Sequence, residues 1–372
     1  MKLYITRNNI KWRNLLPSKK PVNSFFQNNA YYFNYGRSAL QYLFKKLRIK
    51  ELVLPSFICN IFSNLLLAEK IKPKFVDADL DTFNIDINQL QEAINSKTKA
   101  VLIVHTFGNP CDMKAILDLK QEYNFILIEN CMHALGARYN NKHVGSFGNY
   151  SVFSMYKFLP NIAGGFLLAN TDFDDYQSLK SQRLSLPQIL SLIYSGFPFL
   201  QSIMYKLKQK FYSRSYESLM TDRLFEIKKT NPVVKNIFFN YFKKLDVEVN
   251  NRNKIAEQYT SFFNQLDDIS LQRISHKSAY MNFSIRIKDS SKRDIIIHKL
   301  KEKGIIPTRM WHKIPVMLRS IQSKFKVNPK RYKNSIKLSK SIINLPIHGN
   351  YSSKDIAYIT DSFENIYKDK GD

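Results

Sequence analysis

Cysteine and acidic residues are what this chain has least of for its size. Only Cys59, Cys111 and Cys131 occur in 372 residues. None forms a CxxC pair or a zinc-ligand spacing, and an odd count closes no disulfide framework. A disulfide scaffold is excluded, and a reducing compartment is the simpler expectation. At this length a hydrophobic core needs no such staples. Glycine and proline, at 11 and 13 residues, are too few for a collagen-like or low-complexity chain. Acidic residues number 30 against 57 lysines and arginines, which leaves a net charge of +27. A charge that large attracts nucleic acid, anionic membrane or phosphorylated metabolites without specifying a fold. The seven histidines show no HExxH-like spacing, so no metal site is expected.

Long apolar runs are also lacking. The N-terminal MKLYITRNNIKWRNLLPSKK is basic and has no apolar stretch of signal-peptide length, so a cytoplasmic protein is expected. Residues 184–205 carry no charge, but Pro187, Gly196, Pro198 and four serines interrupt them, and Lys206, Lys208, Lys210 and Arg214 follow. Two readings stand: a helical insert packed on the protein's own core, or a peripheral contact of 184–214 with an anionic membrane. No basic recognition helix, zinc finger or RNA-binding aromatic motif accompanies the charge, so nucleic acid is not expected as a partner.

What is present is alternation. Glu51–Ser56, Lys74–Asp79, Ala100–Phe107, Phe125–Asn130, Tyr150–Met155 and Gly165–Asn170 read as strands, with helical periods at Ser38–Leu47, Phe57–Glu69, Ile87–Ile94 and Met113–Tyr123. This predicts an α/β fold with an open, mostly parallel sheet. Ligands of such sheets bind beyond the carboxyl ends of the strands, which directs attention to Ser56, His105, Asn130 and Ser154. An N-terminal arm (1–29) precedes this large domain (30–246), which includes a basic and apolar helical insert at about 171–245. A smaller C-terminal α+β domain (247–372) follows. It is expected to hold a strand near Ala279–Ile287, helices at Lys292–Lys303, Tyr332–Ile342 and Ser353–Tyr367, and a capping box from Ser352 to Asp355.

Five segments in order carry a resemblance: NYGRSAL at 34–40, VLPSFICN at 53–60, FVDADLDTFNID at 75–86, the stretch from LIENCMHALG to the paired glycines at 127–165, and INLPIHGNYSSKDI at 343–356. Together they resemble the DegT/StrS-type sugar aminotransferases, fold-type-I enzymes that use pyridoxal 5′-phosphate (PLP). The resemblance implies a seven-stranded, mostly parallel sheet in the large domain. It also implies a homodimer and transfer of an amino group, from an amino-acid donor such as glutamate, to a nucleotide-linked keto-deoxysugar for surface polysaccharide.

PLP chemistry needs a lysine for the aldehyde, a phosphate cradle, a wall on the ring and a partner for the pyridine nitrogen. The resemblance assigns the lysine to Lys157, four residues after Phe153; the commoner pattern has it six after, where Leu159 stands. Gly36-Arg37-Ser38 matches the phosphate cradle at a helix start, with Arg37 in place of the usual threonine; an ordinary N-capped helix explains the same residues. Ser154 matches a second phosphate contact, and Phe57 or Cys59 the ring wall.

Asn130 is the departure, since the family carries aspartate there. Glu129 cannot replace it, because adjacent strand residues face opposite ways. A neutral amide forfeits a charge-assisted bond of about 1.5–3 kcal/mol, which leaves open a slow enzyme or a catalytically impaired homologue. His133 could orient the cofactor's phenolic oxygen, move a proton or be structural. His105 reads as structural, and His312, beside Trp311, is placed to line the substrate mouth.

Overall fold

The computed structural model describes residues 10–18, 22, 26, 28–195 and 226–368. Its main sheet has seven strands: β1 (Asn29–Phe33), β2 (Glu51–Pro55), β3 (Lys72–Val76), β4 (Ala100–Val104), β5 (Ile126–Asn130), β8 (Tyr150–Ser154) and β9 (Gly165–Ala169). A small hairpin, β6 (Arg138–Tyr139) and β7 (Lys142–His143), lies between β5 and β8 in sequence. The strand order is β1-β9-β8-β5-β4-β2-β3. Only β9 runs against the others. Every residue of β4 and β9 is buried, as expected of strands covered on both faces.

Side-chain alternation along the strands divides the packing into two layers. Val53, Val101, Ile103, Leu127 and Phe153 face one core, shared with α3 (Ile87–Ala93), α4 (Met113–Tyr123) and the helix Pro232–Phe242, here α6. Leu52, Leu54, Leu102, Val104, Ile128 and Val152 face the other, covered by α1 (Gly36–Leu47), α2 (Ile61–Ala68) and residues of the segment 311–342. Phe153 and Phe166, cross-strand partners on β8 and β9, stack at 4.6 Å with rings nearly parallel.

The C-terminal part adds a three-stranded antiparallel sheet of β10 (Ile269–Leu271), β11 (Phe283–Ile287) and β12 (Ile342–Leu345). A third core joins this sheet to α8 (Arg293–Glu302) and α11 (Ser353–Lys368). The helix α7 (Leu245–Phe263) is continuous across residues 246 and 247. Leu245 and Val249 sit in the first core, and Ile255, Ala256, Tyr259 and Phe263 in the third. The remaining helices are α5 (Leu186–Ser195), α9 (Arg319–Phe325) and α10 (Lys333–Ser341).

Local departures from the sequence expectations have tertiary causes. The helix expected from Phe57 starts at Ile61; Ser56 N extends the β2–β3 ladder by bonding Val76 O (2.8 Å), and Phe57 is held in an aromatic cluster. The helix expected to end at Ile342 stops at Ser341, because Ile342–Leu345 pairs with β11. Strand β1 shows no alternation of its own and is organised by pairing with β9. Of the stretch 184–214, residues 196–214 lie outside the described residues. No described helix is long and apolar enough to cross a membrane.

The capping box is present: Ser352 N and Oγ both donate to Asp355 Oδ2 (2.9 Å), and Asp355 N donates to Ser352 Oγ (3.3 Å). Replacing Ser352 with alanine should lower stability by about 1 kcal/mol, measured by urea denaturation.

Candidate active site

The carboxyl ends of β2, β4, β5 and β8 deliver the candidate residues to one edge of the sheet. Three residues beyond β5 stands His133, and three beyond β8 stands Lys157. Their side chains meet, with Lys157 Nζ 3.2 Å from His133 Nε2. His133 is buried, and three rings gather around one another there. His133 lies 5.7 Å from Phe107 and 5.3 Å from Trp311, near-parallel to both, and Phe107 lies 5.3 Å from Trp311. Phe57 closes the cluster, 5.2 Å from Trp311. Burial, reinforced by the charge of Lys157, holds His133 well below the usual histidine range. The imidazole is therefore neutral near pH 7, and a neutral ring can accept a hydrogen bond from the lysine. Its Nδ1 is buried without a hydrogen-bond partner among the described residues.

The first turn of α1 forms the neighbouring wall. Gly36 opens the helix, and the Tyr35–Gly164 bridge sets it against the start of β9. The approach is close enough that a Cβ on Gly165 would overlap the Gly36 nitrogen, and a Cβ on Gly36 would come within 2.9 Å of Met132 Cε. Glycine is required at 165, where the clash is with backbone, while at 36 the end of the Met132 side chain would have to shift. The Arg37 guanidinium lies over the Tyr35 ring at 4.1 Å. Ser38 Oγ makes only a long bond to Glu226 O (3.4 Å). Ser154 Oγ, at the end of β8, is buried with no hydrogen-bond partner among the described residues. Cys59 is half-buried, its Sγ 3.8 Å from Asn60 Oδ1.

Alternation on β5 separates two roles. Asn130 shares its face of the strand with Ile128, on the side of Phe57, Phe107 and Trp311, while Glu129 shares the other with Leu127. Asn130 Oδ1 accepts from Met132 N (3.2 Å), so its NH2 is the end left for another partner. Glu129, fully buried, accepts from Gly145 N (2.7 Å), Phe147 N (2.8 Å) and Gly148 N (2.5 Å), and meets His105 Nε2 at 3.1 Å. His105 Nδ1 accepts from Cys111 N (3.0 Å), which leaves Nε2 as the donor to Glu129. His105 is thus structural. The ligand atoms of His105, Glu129 and Cys131 lie within 4.8 Å of one another. The carboxylate is already committed to backbone amides, and burial pushes the Cys131 thiol up, keeping it protonated. His312 is half-buried, with its amide bonded to Arg309 O (2.8 Å).

Two contributors were not singled out from sequence. Phe107 sits at the end of a run read as strand, yet turns there with φ at 56°. Arg252 is fully buried on α7. It pairs with Glu248 at 2.8 Å and donates to Tyr280 O (3.0 Å) and to Phe158 O (3.4 Å), with its guanidinium over the Phe158 ring at 4.2 Å. It therefore clamps the residue that follows Lys157. The Glu248–Arg252 spacing of four was the available signal.

Two measurements follow from this geometry. Arg252→Met leaves Glu248 uncompensated and should cost about 3–5 kcal/mol in urea denaturation, partly recovered by adding Glu248→Gln. The second concerns pH. Burial, followed by the Arg252 charge, pushes His348 down to about 4, and His133 is depressed too. The unfolded chain then binds more protons than the native one below the ordinary histidine value of about 6.5, so stability is full above it and falls as pH drops toward about 4. Thermal melts across that window should show the decline, and His348→Asn should flatten it.

The model of the DegT/DnrJ/EryC1/StrS aminotransferase family matches residues 25–176 and 235–364. The GDP-perosamine synthase of Escherichia coli O157:H7 is 25% identical over 324 residues, covering 86% of this chain and 80% of its own. Among solved structures, Helicobacter pylori PseC, an aminotransferase involved in the biosynthesis of pseudoaminic acid, aligns at TM-score 0.76 and 19% identity over 99% of this chain and 100% of its own. The E. coli GDP-4-keto-6-deoxy-D-mannose-3-dehydratase with bound hydrated PLP aligns at TM-score 0.77 and 18% identity, over 98% and 100%. Both structures share this fold. With a family model spanning most of its length, the chain belongs to the DegT/DnrJ/EryC1/StrS aminotransferase family and is a PLP-dependent transaminase.

Proposed function

We propose that this protein moves an amino group from glutamate to a keto-deoxysugar carried by a nucleoside diphosphate, with Lys157 as the residue that bonds the cofactor. The observation that carries this reading is the 3.2 Å contact of Lys157 Nζ with a buried, neutral His133 at the carboxyl edge of the sheet. The GDP-perosamine synthase relative supports a nucleotide-linked sugar as acceptor. Homodimerisation, a cytoplasmic location and a peripheral contact of 184–214 with an anionic membrane belong to the same proposal.

The residues present fit PLP. Ser154 Oγ is a buried hydroxyl without a partner among the described residues, suited to a phosphate oxygen. The Gly36–Gly165 approach exposes backbone at a helix start, where an anion is favoured. Arg37 adds a cation, and Ser38 completes the turn. Phe57, in contact with Phe107 and Trp311, or half-buried Cys59 would wall the ring. When bound, PLP withdraws electrons from the carbon that carries the amine.

The chain's own residues do the rest. His133 accepts from the Lys157 amine and so holds that nitrogen in place at the strand ends. Asn130 would offer its NH2 to the pyridine nitrogen of the bound cofactor, and as a neutral amide would not hold a proton there by charge. The sink is weaker than one built on aspartate, which slows the enzyme and leaves it competent.

Purified protein with PLP should show a visible absorption band that glutamate bleaches and that Lys157→Ala lacks. Borohydride reduction and peptide mapping should place the label on Lys157; a label on another lysine overturns the assignment. Asn130→Asp should speed the glutamate half-reaction roughly tenfold to a hundredfold. A band that glutamate leaves unchanged indicates the catalytically impaired homologue instead.

A further inference from the structure

One face of the C-terminal sheet looks toward the aromatic cluster, and its polar side chains are unequally occupied. On β11, Phe283, Ile285 and Ile287 point into the third core, so Ser284 and Arg286 share the other face. Their cross-strand partners on β12 are Asn344 and Ile342, and Ile342 belongs to the core that holds Phe57, Phe107 and Trp311. Most of this polar row is committed. Asn344 Nδ2 donates to Ser284 Oγ (2.9 Å), and Asn344 Oδ1 accepts from the amide of Met310 (2.7 Å), the residue before Trp311. Gln272, just past β10, donates to Thr82 O (2.8 Å) and to the carbonyl of Thr106 (3.1 Å), the residue before Phe107. Arg286 is the exception. It is half-buried, its Nε is buried, and its guanidinium makes no hydrogen bond or ion pair among the described residues. Asp81, whose charge reaches it, is exposed and lies 3.9 Å from Arg273 Nη2.

We propose that Arg286 binds an oxyanion of the substrate beside the aromatic cluster, through the planar fork that a guanidinium presents to a carboxylate or a phosphate. A cation drawn partly out of water without a partner costs free energy, and an arriving anion removes that cost. β11 is the central strand of its sheet, with β10 and β12 on either edge, so the fork is carried by a rigid element. The bonds of Gln272 and Asn344 tie that sheet to the backbone next to Phe107 and Trp311. Both substrates of the proposed reaction carry an oxyanion, the donor in its carboxylates and the acceptor in its diphosphate, so the inference rests on that reading. The role is recognition: Arg286 sets affinity for the anion and takes no part in bond making.

The test is isothermal titration calorimetry of the full chain, loaded with PLP, using GDP, dTDP and 2-oxoglutarate, three anions that bring no transferable amine. At least one should bind. Arg286→Gln should weaken that binding about tenfold to a hundredfold, the loss of a charge-assisted bond, and Arg286→Lys should recover part of it. A loss confined to the nucleotides assigns Arg286 to the diphosphate; one confined to 2-oxoglutarate assigns it to the donor's carboxylate. The melting temperature of Arg286→Gln should match the parent, because no intramolecular bond is lost. A net charge of +27 attracts any anion, so Lys292→Gln, at an exposed position of the same domain, serves as the control and should bind normally. The inference is overturned by a parent chain that binds none of the three, by equal binding in Arg286→Gln, or by an equal loss in Lys292→Gln. It is also overturned by a loss that comes with a lower melting temperature and no recovery by lysine, which makes Arg286 structural. The titration needs no turnover. A failed glutamate half-reaction with Arg286-dependent binding intact counts against the proposed function alone, and a working half-reaction with equal binding in Arg286→Gln counts against Arg286 alone.

Discussion

A carboxylate with no exposure to water organises this site. Glu129 would be costly to bury without donors, and it takes three backbone amides from 145–148 together with His105. Those bonds anchor the end of β5 to the loop leading into β8. With that end fixed, strand alternation sends Asn130 to the opposite face, and the chain beyond it carries His133 to Lys157. The charged residue of the Glu-Asn pair is thus the scaffold, and the neutral one lies on the face of Phe57, Phe107 and Trp311.

Around this anchor the site is assembled from elements distant in sequence. The aromatic cluster joins Phe57 after β2, Phe107 after β4, His133 after β5 and Trp311 from the C-terminal part. Arg252 adds a second tie by bonding the carbonyl next to Lys157 from a helix that spans two cores. The lysine is therefore held from both sides, by a neutral imidazole at its amine and by a guanidinium at the following peptide. Trp311 and Arg252 both link the C-terminal part to the site.

The insert shows how a shared fold acquires a private surface. The two matched stretches build the sheet and the cradle, while the intervening residues place an uncharged helix with exposed leucines and isoleucines beside Tyr35.

The fold class was legible because strands buried on both faces appear as short continuous apolar runs, as in Ala100–Val104 and Gly165–Ala169. The positions of the candidates Lys157, Asn130, Ser154 and the Gly36 turn at strand ends and a helix start were legible because each ends or follows such a run or opens a helix. Strand β1 and the strand Ile342–Leu345 were not, because pairing with β9 and β11 makes them strands. Phe107 and Arg252 were hidden for a related reason: an aromatic at a strand end and a cation on a helix look ordinary until tertiary packing buries them. Local periodicity and motif order by themselves determined the α/β architecture and the candidate lysine. Only the tertiary structure decided what touches that lysine, because contacts between residues far apart in sequence are set by how layers close and carry no local pattern.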